Sequence, residues 1–409
     1  MKRRTVLKLL GAGAIGGTLG AYWPDEGIWN PCPVESIPDS LLNHELVQQA
    51  WQGIDPSLYI DSHFHIVGTG DTDSGIWLHP HMQNPLQIAQ YVRFKFYMNA
   101  TCMREGQPID SQYIDYLLRL NKDFSAGAKF MLLAFDYRYD EQGKVIKDKS
   151  PFAIPNEYAA KIVKQHPDQF EWAASIHPYR KDAVEQLAWC VKHGARAVKW
   201  LPPMMGIDPA SKLCEPFYEA LVKNQIPLVT HAGDEHAVAG VDAQKLGNPL
   251  LLRKPLDMGV KTIVAHCATM GHNRDIDQGP NGPEQSNYKL FARLMNEKRY
   301  EGLLYGDISA VPQVNRDGYA IADIIEQQDW HHRLLNGSDF PLPGVMPIFS
   351  TQRIVELGLL DKNMAKVIKQ IRTFNPVLYD FVLKRSMRYK GLKLSERVFE
   401  TGRILRQRA

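Results

Sequence analysis

Eight short apolar runs, each followed by a helical pattern, constrain this 409-residue chain more than any other feature. They are LYIDSHFH (58–65), AKFMLLAFD (128–136), EWAASIHP (171–178), ARAVKWLP (195–202), IPLVTHAG (226–233), VKTIVAHC (260–267), EGLLYGDIS (301–309) and HRLLNGSDF (332–340). Between them lie stretches with apolar residues three and four apart, such as DAVEQLAWCVKHG, whose glycine falls just past a helix end. Strands that alternate with helices build a parallel sheet, and eight of them close a barrel. An open doubly wound sheet would need a glycine-rich phosphate turn after its first strand, and none is present. The sequence therefore predicts an α/β fold: a (β/α)8 TIM barrel over 58–390, a lead-in segment over 24–57, a C-terminal helix, and a basic tail over 391–409.

In such a barrel the functional residues stand at the C-terminal ends of the strands. Those ends carry His63 and His65, Lys199, His231, His266, Asp307 and Asp339. His63 and His65 are two apart, so on a strand they share a face with Phe64 on the other. Two neutral imidazoles side by side suit a cation better than an apolar core. On HFH alone, a pair of strand-end histidines bonded locally is an equal reading. Four histidines, a lysine and two aspartates at one mouth favour a metal.

The motifs DSHFH, AVKWLPP, LVTHAG, IVAHC and LLNGSDFP resemble those of the amidohydrolase superfamily of metal-dependent hydrolases. The resemblance runs from residue 58 to about 390. The phrase GIDPASKLCEPFYEALVKNQIPLVTHAG is similar to the amidohydrolase-2 branch, which includes aminocarboxymuconate semialdehyde decarboxylase and related decarboxylases and hydrolases. The resemblance implies that His63, His65 and His231 are metal ligands and that Asp339 completes the shell and shuttles protons. It makes His266 a catalytic acid/base or a ligand to a second metal, and Lys199 a carboxylated bridge where two metals bind. One divalent metal, Zn²⁺, is expected, and two if Lys199 is carboxylated. The expected reaction is hydrolysis of an amide, ester or lactone. Non-oxidative decarboxylation of a small unsaturated or aromatic acid ranks second, and a non-catalytic, metal-clamped ligand-binding barrel third.

Substrate contacts are expected from His177 after the third strand, Arg274 in GHNRD, and Trp77 in the long connection 66–127. A local structural role competes for His177 and a surface role for Arg274. The long connection also holds His79, His81 and Arg93; its length and aromatic content suggest a lid, with packing of its helical parts on the barrel as the alternative. Cys267 is expected to pack away from the metal, and His331 and His332 belong to the opposite end of the barrel. Cysteines 32, 102, 190, 214 and 267 show no CxxC and no regular spacing, which argues against a disulfide framework and against cysteine-bound zinc.

The N-terminus, MKRRTVLKLLGAGAIGGTLG, is of another kind. Arg3 and Arg4 before a Gly/Ala-rich apolar stretch resemble a twin-arginine export signal over 1–23, with Val6 where Phe is more usual. This implies a partner in the export machinery and a periplasmic or exported protein, with membrane association through an uncleaved signal, or a cytoplasmic protein, as alternatives. The net charge of +3 is too small to point to nucleic acid, so a small molecule is the expected partner. The stretch 381–409 carries nine Lys/Arg against two acidic residues. It is expected to be a solvated terminal helix over the barrel, with weak contact to a membrane surface as the alternative.

Overall fold

All eight apolar runs form strands in the computed structural model, which describes residues 26–104, 106–237 and 243–406. The expected export signal lies outside the described residues. The strands are β1 (Ile60–His65), β2 (Lys129–Leu133), β3 (Phe170–Ala173), β4 (Val198–Trp200), β5 (Leu228–His231), β6 (Thr262–Ala265), β7 (Leu304–Asp307) and β8 (Leu334–Leu335). Neighbours pair in parallel, from β1 to β3 in one arc and from β4 to β8 in another. Parallel bridges Ala174↔Val198 and Phe64↔Phe340 join the arcs and close the ring. Helices between the strands, such as Ala183–Lys192, bury their apolar stripe against the outside. The fold is a (β/α)8 barrel.

Alternation sorts the side chains. Ile60, Met131, Leu133, Ala173, Ala197 and Val229 fill the barrel interior, while Phe64, Val198 and Trp200 face the helices. In β1 the pairing with β2 shifts between Asp61 and Phe64, so one extra residue is accommodated there. A one-residue bulge reverses the facing of everything beyond it. That is how Ile60 and both His63 and His65 come to point inward, with Phe64 stacked outside on Phe130 and Phe340.

β8 is shorter than its apolar run. Beyond Leu335 the chain presses against β1, and a Cβ at Gly337 would lie 2.7 Å from His63 Cβ. Only a glycine allows that approach. The chain then turns through Asp339, whose φ is +60°.

Two expectations are corrected. Cys32 and Cys102 form a disulfide with Cα atoms 5.4 Å apart, joining the lead-in to the long connection. The 70 residues between them leave no spacing signal. The basic C-terminal stretch is also not a solvated helix. On helix Pro376–Ser386, Lys384 pairs with Asp380 at 2.6 Å, both buried, and Arg385 bonds the backbone of Ala50 and Gln52. Further on, Thr401 Oγ1 accepts from Ile60 N at 3.1 Å, and Ile404 and Leu405 join the interior cluster. The end of the chain stoppers the N-terminal mouth. His331 is buried on that same side, bonded to Ile324 O and Ser395 N, while His332 is exposed. Among the described residues no helix is long and apolar enough to cross a membrane.

Candidate functional site

The strand-end residues converge at the C-terminal mouth. His63, His65, Lys199, His231, His266 and Asp339 all line one cavity. His65 Nε2 and His63 Nε2 lie 3.1 and 3.4 Å from the same oxygen, Oδ1 of Asp339. His266 Nε2 is 3.6 Å from Asp339 Oδ2. His63, His65 and Asp339 each offer one ligand atom within 4.8 Å of the others. His231 stands beside this trio. Its Nδ1 is 3.6 Å from Glu235 and its Nε2 is 3.3 Å from Asp234 O, with its ring 5.4 Å from that of His266.

A further layer fixes the rings. Asp307, at the end of β7, accepts from His63 Nδ1 at 2.8 Å and also takes the backbone N–H of His266 and Ser309. His266 Nδ1 lies 2.8 Å from Ser309 Oγ. Two of the residues involved carry a left-handed backbone, His266 (φ +57°) and Asp339 (φ +60°). That conformation costs about 1–3 kcal/mol at a non-glycine residue and is concentrated at functional sites.

Burial lowers the pKa of His63, His231 and His266, helped by the charges of Lys199 and Arg316, and His231 falls to about 3. Burial also lowers Lys199, against the pull of Asp307, Asp339 and Glu235. For Asp339 burial works upward, but His266, His63 and His65 outweigh it and hold the carboxylate ionised. Neutral imidazoles around an ionised carboxylate are the protonation state that metal binding requires.

The donor set fits a divalent cation. With its Nδ1 proton given to Asp307, His63 turns a lone pair toward Asp339, also an acceptor. Two acceptors facing each other call for a cation or a donor between them. In this structure Lys199 Nζ stands 3.0 Å from His63 Nε2. Imidazole and carboxylate together suit Zn²⁺ and similar metals.

A family model described as Amidohydrolase matches residues 60–361, about three quarters of the chain. The chain belongs to the amidohydrolase family. No curated protein matches this amidohydrolase. Solved structures similar to it include an uncharacterized TIM-barrel protein from Bordetella bronchiseptica (15% identity, TM-score 0.45, covering 73% of this chain and 98% of that one). Another is 5-carboxyvanillate decarboxylase from Sphingomonas paucimobilis (12%, 0.43, 77% and 98%). A third is a probable 2-pyrone-4,6-dicarboxylic acid hydrolase from Acinetobacter baumannii (14%, 0.41, 73% and 90%).

The three expected substrate contacts do not reach the cavity. His177 is buried, with Nε2 donating to Met205 O at 3.0 Å and Nδ1 accepting from Tyr179 N at 3.2 Å, so both ring nitrogens are used locally. Trp77 sits on a two-residue strand, Trp77–Leu78, paired with Phe152–Ala153. Alternation sends Leu78 to the cavity and leaves the Trp77 ring on Tyr137. Arg274 lies on an outlying ribbon, His272–Arg274 with Glu284–Ser286, where Asn273 is buried and Arg274 exposed. Cys267 is buried with its Sγ at Asp307 O.

The cavity takes its polar groups from elsewhere. Arg316 and Gln313 come from the loop after β7, Glu235 from the loop after β5, and Arg93 from helix Ile88–Ala100 in the long connection. Asp307 ends a strand in phase with the other site residues, and that signal could have given it a role. Arg93 and Arg316 had no comparable signal.

Proposed function

We propose that this chain is a metal-dependent hydrolase that cleaves an amide, ester or lactone bond in a small substrate. The observation that carries the reading is the position of Asp339, with one oxygen facing His63 and His65 and the other facing His266. His63, His65 and Asp339 would hold Zn²⁺, with His231 beside them. When bound, such an ion polarises a carbonyl and lowers the pKa of water toward about 7. Asp339 is placed to accept the proton of the attacking water as its oxygen bonds to the carbonyl carbon. The proton taken up by Asp339 would pass to His266 Nε2, 3.6 Å from Asp339 Oδ2, and from there to the leaving group as the scissile bond breaks, with Ser309 steadying the ring. Asp307 keeps the His63 ring in one tautomer throughout.

Decarboxylation is the second reading, favoured by the apolar cavity wall, which would strip water from a carboxylate. A substrate screen on protein stripped with chelator and reloaded with Zn²⁺ tests both. Metal-dependent acid release without carbon dioxide supports hydrolysis. Carbon dioxide release moves the chain to the second reading. Ligand binding with no turnover that follows the metal leaves a binding barrel.

We also propose that the protein is exported folded. The pattern around Arg3 and Arg4 supports this, as does the Cys32–Cys102 bond, which suits an oxidising compartment. Replacing both arginines with lysine should hold the protein in the cytoplasm, and continued export would overturn it.

A further inference from the structure

Helix Ile88–Ala100 is apolar on every side. Of its 13 residues only four are polar, Gln90, Arg93, Lys95 and Asn99, and they are spread around it. A helix of that kind belongs in a buried setting. One side has it, since Arg93 and Tyr97 line the cavity over the candidate metal centre. The other side does not. Ile88, Val92, Lys95, Phe96 and Asn99 recur at helical spacing. From Val92 onward they line a second hollow, a groove of about 1190 Å³ shared with Ile28 and Trp29. Ile88 is 53% exposed and Trp29 51%. Phe94, Phe96 and Met98 line both hollows, so the helix is a wall common to them.

The groove offers little to a charged ligand. Its acid, Asp71, accepts from Ile109 N at 2.6 Å and Asp110 N at 3.2 Å. Its cation, Lys95, lies over the ring of Tyr91 at 5.3 Å. What fits is an apolar segment with few charges, laid along the helix as in other groove-bound peptides.

The chain itself supplies one. Residues 5–20, TVLKLLGAGAIGGTLG, hold eight apolar residues, five glycines and one charge, Lys8. They precede the described residues, which begin at Glu26. That beginning is fastened beside the groove. Glu26 pairs with Arg372 at 2.7 Å, both buried. Ile28 lines the groove, and Trp29 stacks on Phe96 at 4.7 Å. Asn30 exchanges two hydrogen bonds with Asn99, and Cys32 is bonded to Cys102. Residues 21–25 link the apolar stretch to this anchor, a reach of up to about 17 Å, and the helix that walls the groove is about 20 Å long. A tether that short holds the stretch near the groove at a roughly millimolar effective concentration, so weak apolar contacts suffice.

We propose that residues 5–20 of this same chain lie in the groove along helix Ile88–Ala100. The apolar stretch is then shielded from water, while Arg3 and Arg4, just outside it, stay in solvent. The occupant also bears on the helix that walls the cavity. The inference uses neither the hydrolase reading nor the export reading, and its test reads neither turnover nor transport.

Full-length protein is purified with residues 1–25 retained, as intact mass confirms. The photo-crosslinking variant Val92→benzoylphenylalanine is irradiated, digested and read by mass spectrometry. Crosslinks should join position 92 to residues 5–20 of the same chain. A second variant, Leu9→Asp with Leu10→Asp, puts two charges into the stretch without touching the described residues. Hydrogen exchange across Ile88–Ala100 should quicken at least about tenfold in it, with exchange in β5 unchanged. Crosslinks between two chains would mean that a second copy fills the groove. Crosslinks to added phosphatidylglycerol vesicles would mean that a membrane surface does. Either outcome overturns the inference, and so does helix exchange that is equal with and without the two charges.

Discussion

Asp307 Oδ2 lies 2.8 Å from His63 Nδ1, and both groups are buried. This contact fixes which nitrogen of His63 carries the proton and leaves Nε2 facing Asp339 and Lys199. A carboxylate behind a metal-binding histidine both orients the ring and raises its basicity. Asp307→Asn keeps the shape but loses the charge. Zn²⁺ affinity, measured against a competing chelator, should fall by about 10–100-fold, with the far-ultraviolet circular dichroism unchanged. An affinity equal to the wild type would mean that His63 does not bind the metal.

Asp339→Asn separates holding the metal from moving the proton. The amide oxygen can still face His63 and His65, but it can no longer take a proton from water. Metal content should stay near the wild-type level while turnover falls by about 10²–10⁴-fold, the usual weight of a general acid/base. Equal turnover would remove Asp339 from the chemistry.

The eight strands were legible in the sequence because each buried strand is a short apolar run between helical stretches. The inward facing of Lys199, His231 and Asp307 follows from simple alternation. His63 and His65 were placed on a common face correctly, although the bulge that turns that face inward left no mark in the sequence. His177 shows that a place at a strand end does not by itself put a side chain in the cavity. It follows a strand end, as a site residue should, yet Met205 and Tyr179 satisfy it locally. Arg93 and Arg316 were missed as site residues for the converse reason. They lie on a helix and a loop, where no period relates a residue to the barrel mouth. The pairing of Cys32 with Cys102 and the return of Ile404 into the barrel are long-range contacts, and local pattern does not encode them.

The disulfide gives a direct chemical test. Cys190, Cys214 and Cys267 are free, so denatured protein isolated from an oxidising compartment should show three reactive thiols. Reduction should raise the count to five, the number in the sequence. Cys102→Ser should cost about 2–4 kcal/mol of stability in denaturant titration. Because Cys102 follows the helix that carries Arg93, KM should rise more than kcat falls. Five thiols before reduction would show that the bond is not made.

Stability should depend on pH through His177. Burial lowers its pKa to about 3, more than its bond to Met205 O raises it. An unfolded histidine takes up a proton near pH 6.5, and the folded one stays neutral to much lower pH. His177 therefore contributes stability that is fully present above about pH 6.5 and is lost as pH falls toward about 3, by up to about 1.4 kcal/mol per pH unit. His177→Asn should be less stable at neutral pH and should lose less on acidification. Denaturant titrations at about pH 7 and about pH 5 compare the two slopes. Parallel slopes would show that His177 is not held neutral.

Metal stoichiometry turns on Lys199. In β4 its neighbour Ala197 faces the interior, while Val198 and Trp200 face the helices, so alternation brings the amine to the mouth. Its Nζ stands 3.0 Å from His63 Nε2. As an amine it offers no charge to bridge two cations, and as an ammonium it would repel the second. Carboxylated, it would add the negative charge that a second site needs, with His266 available as a further ligand. In the structure His266 Nδ1 is held by Ser309 and its Nε2 faces Asp339, an arrangement suited to proton transfer. Elemental analysis of protein purified without chelator should therefore find one metal per chain, and Lys199→Ala should leave that number unchanged. Two metals per chain, falling in Lys199→Ala and restored by bicarbonate with a short carboxylic acid, would show that the lysine is carboxylated and the centre binuclear.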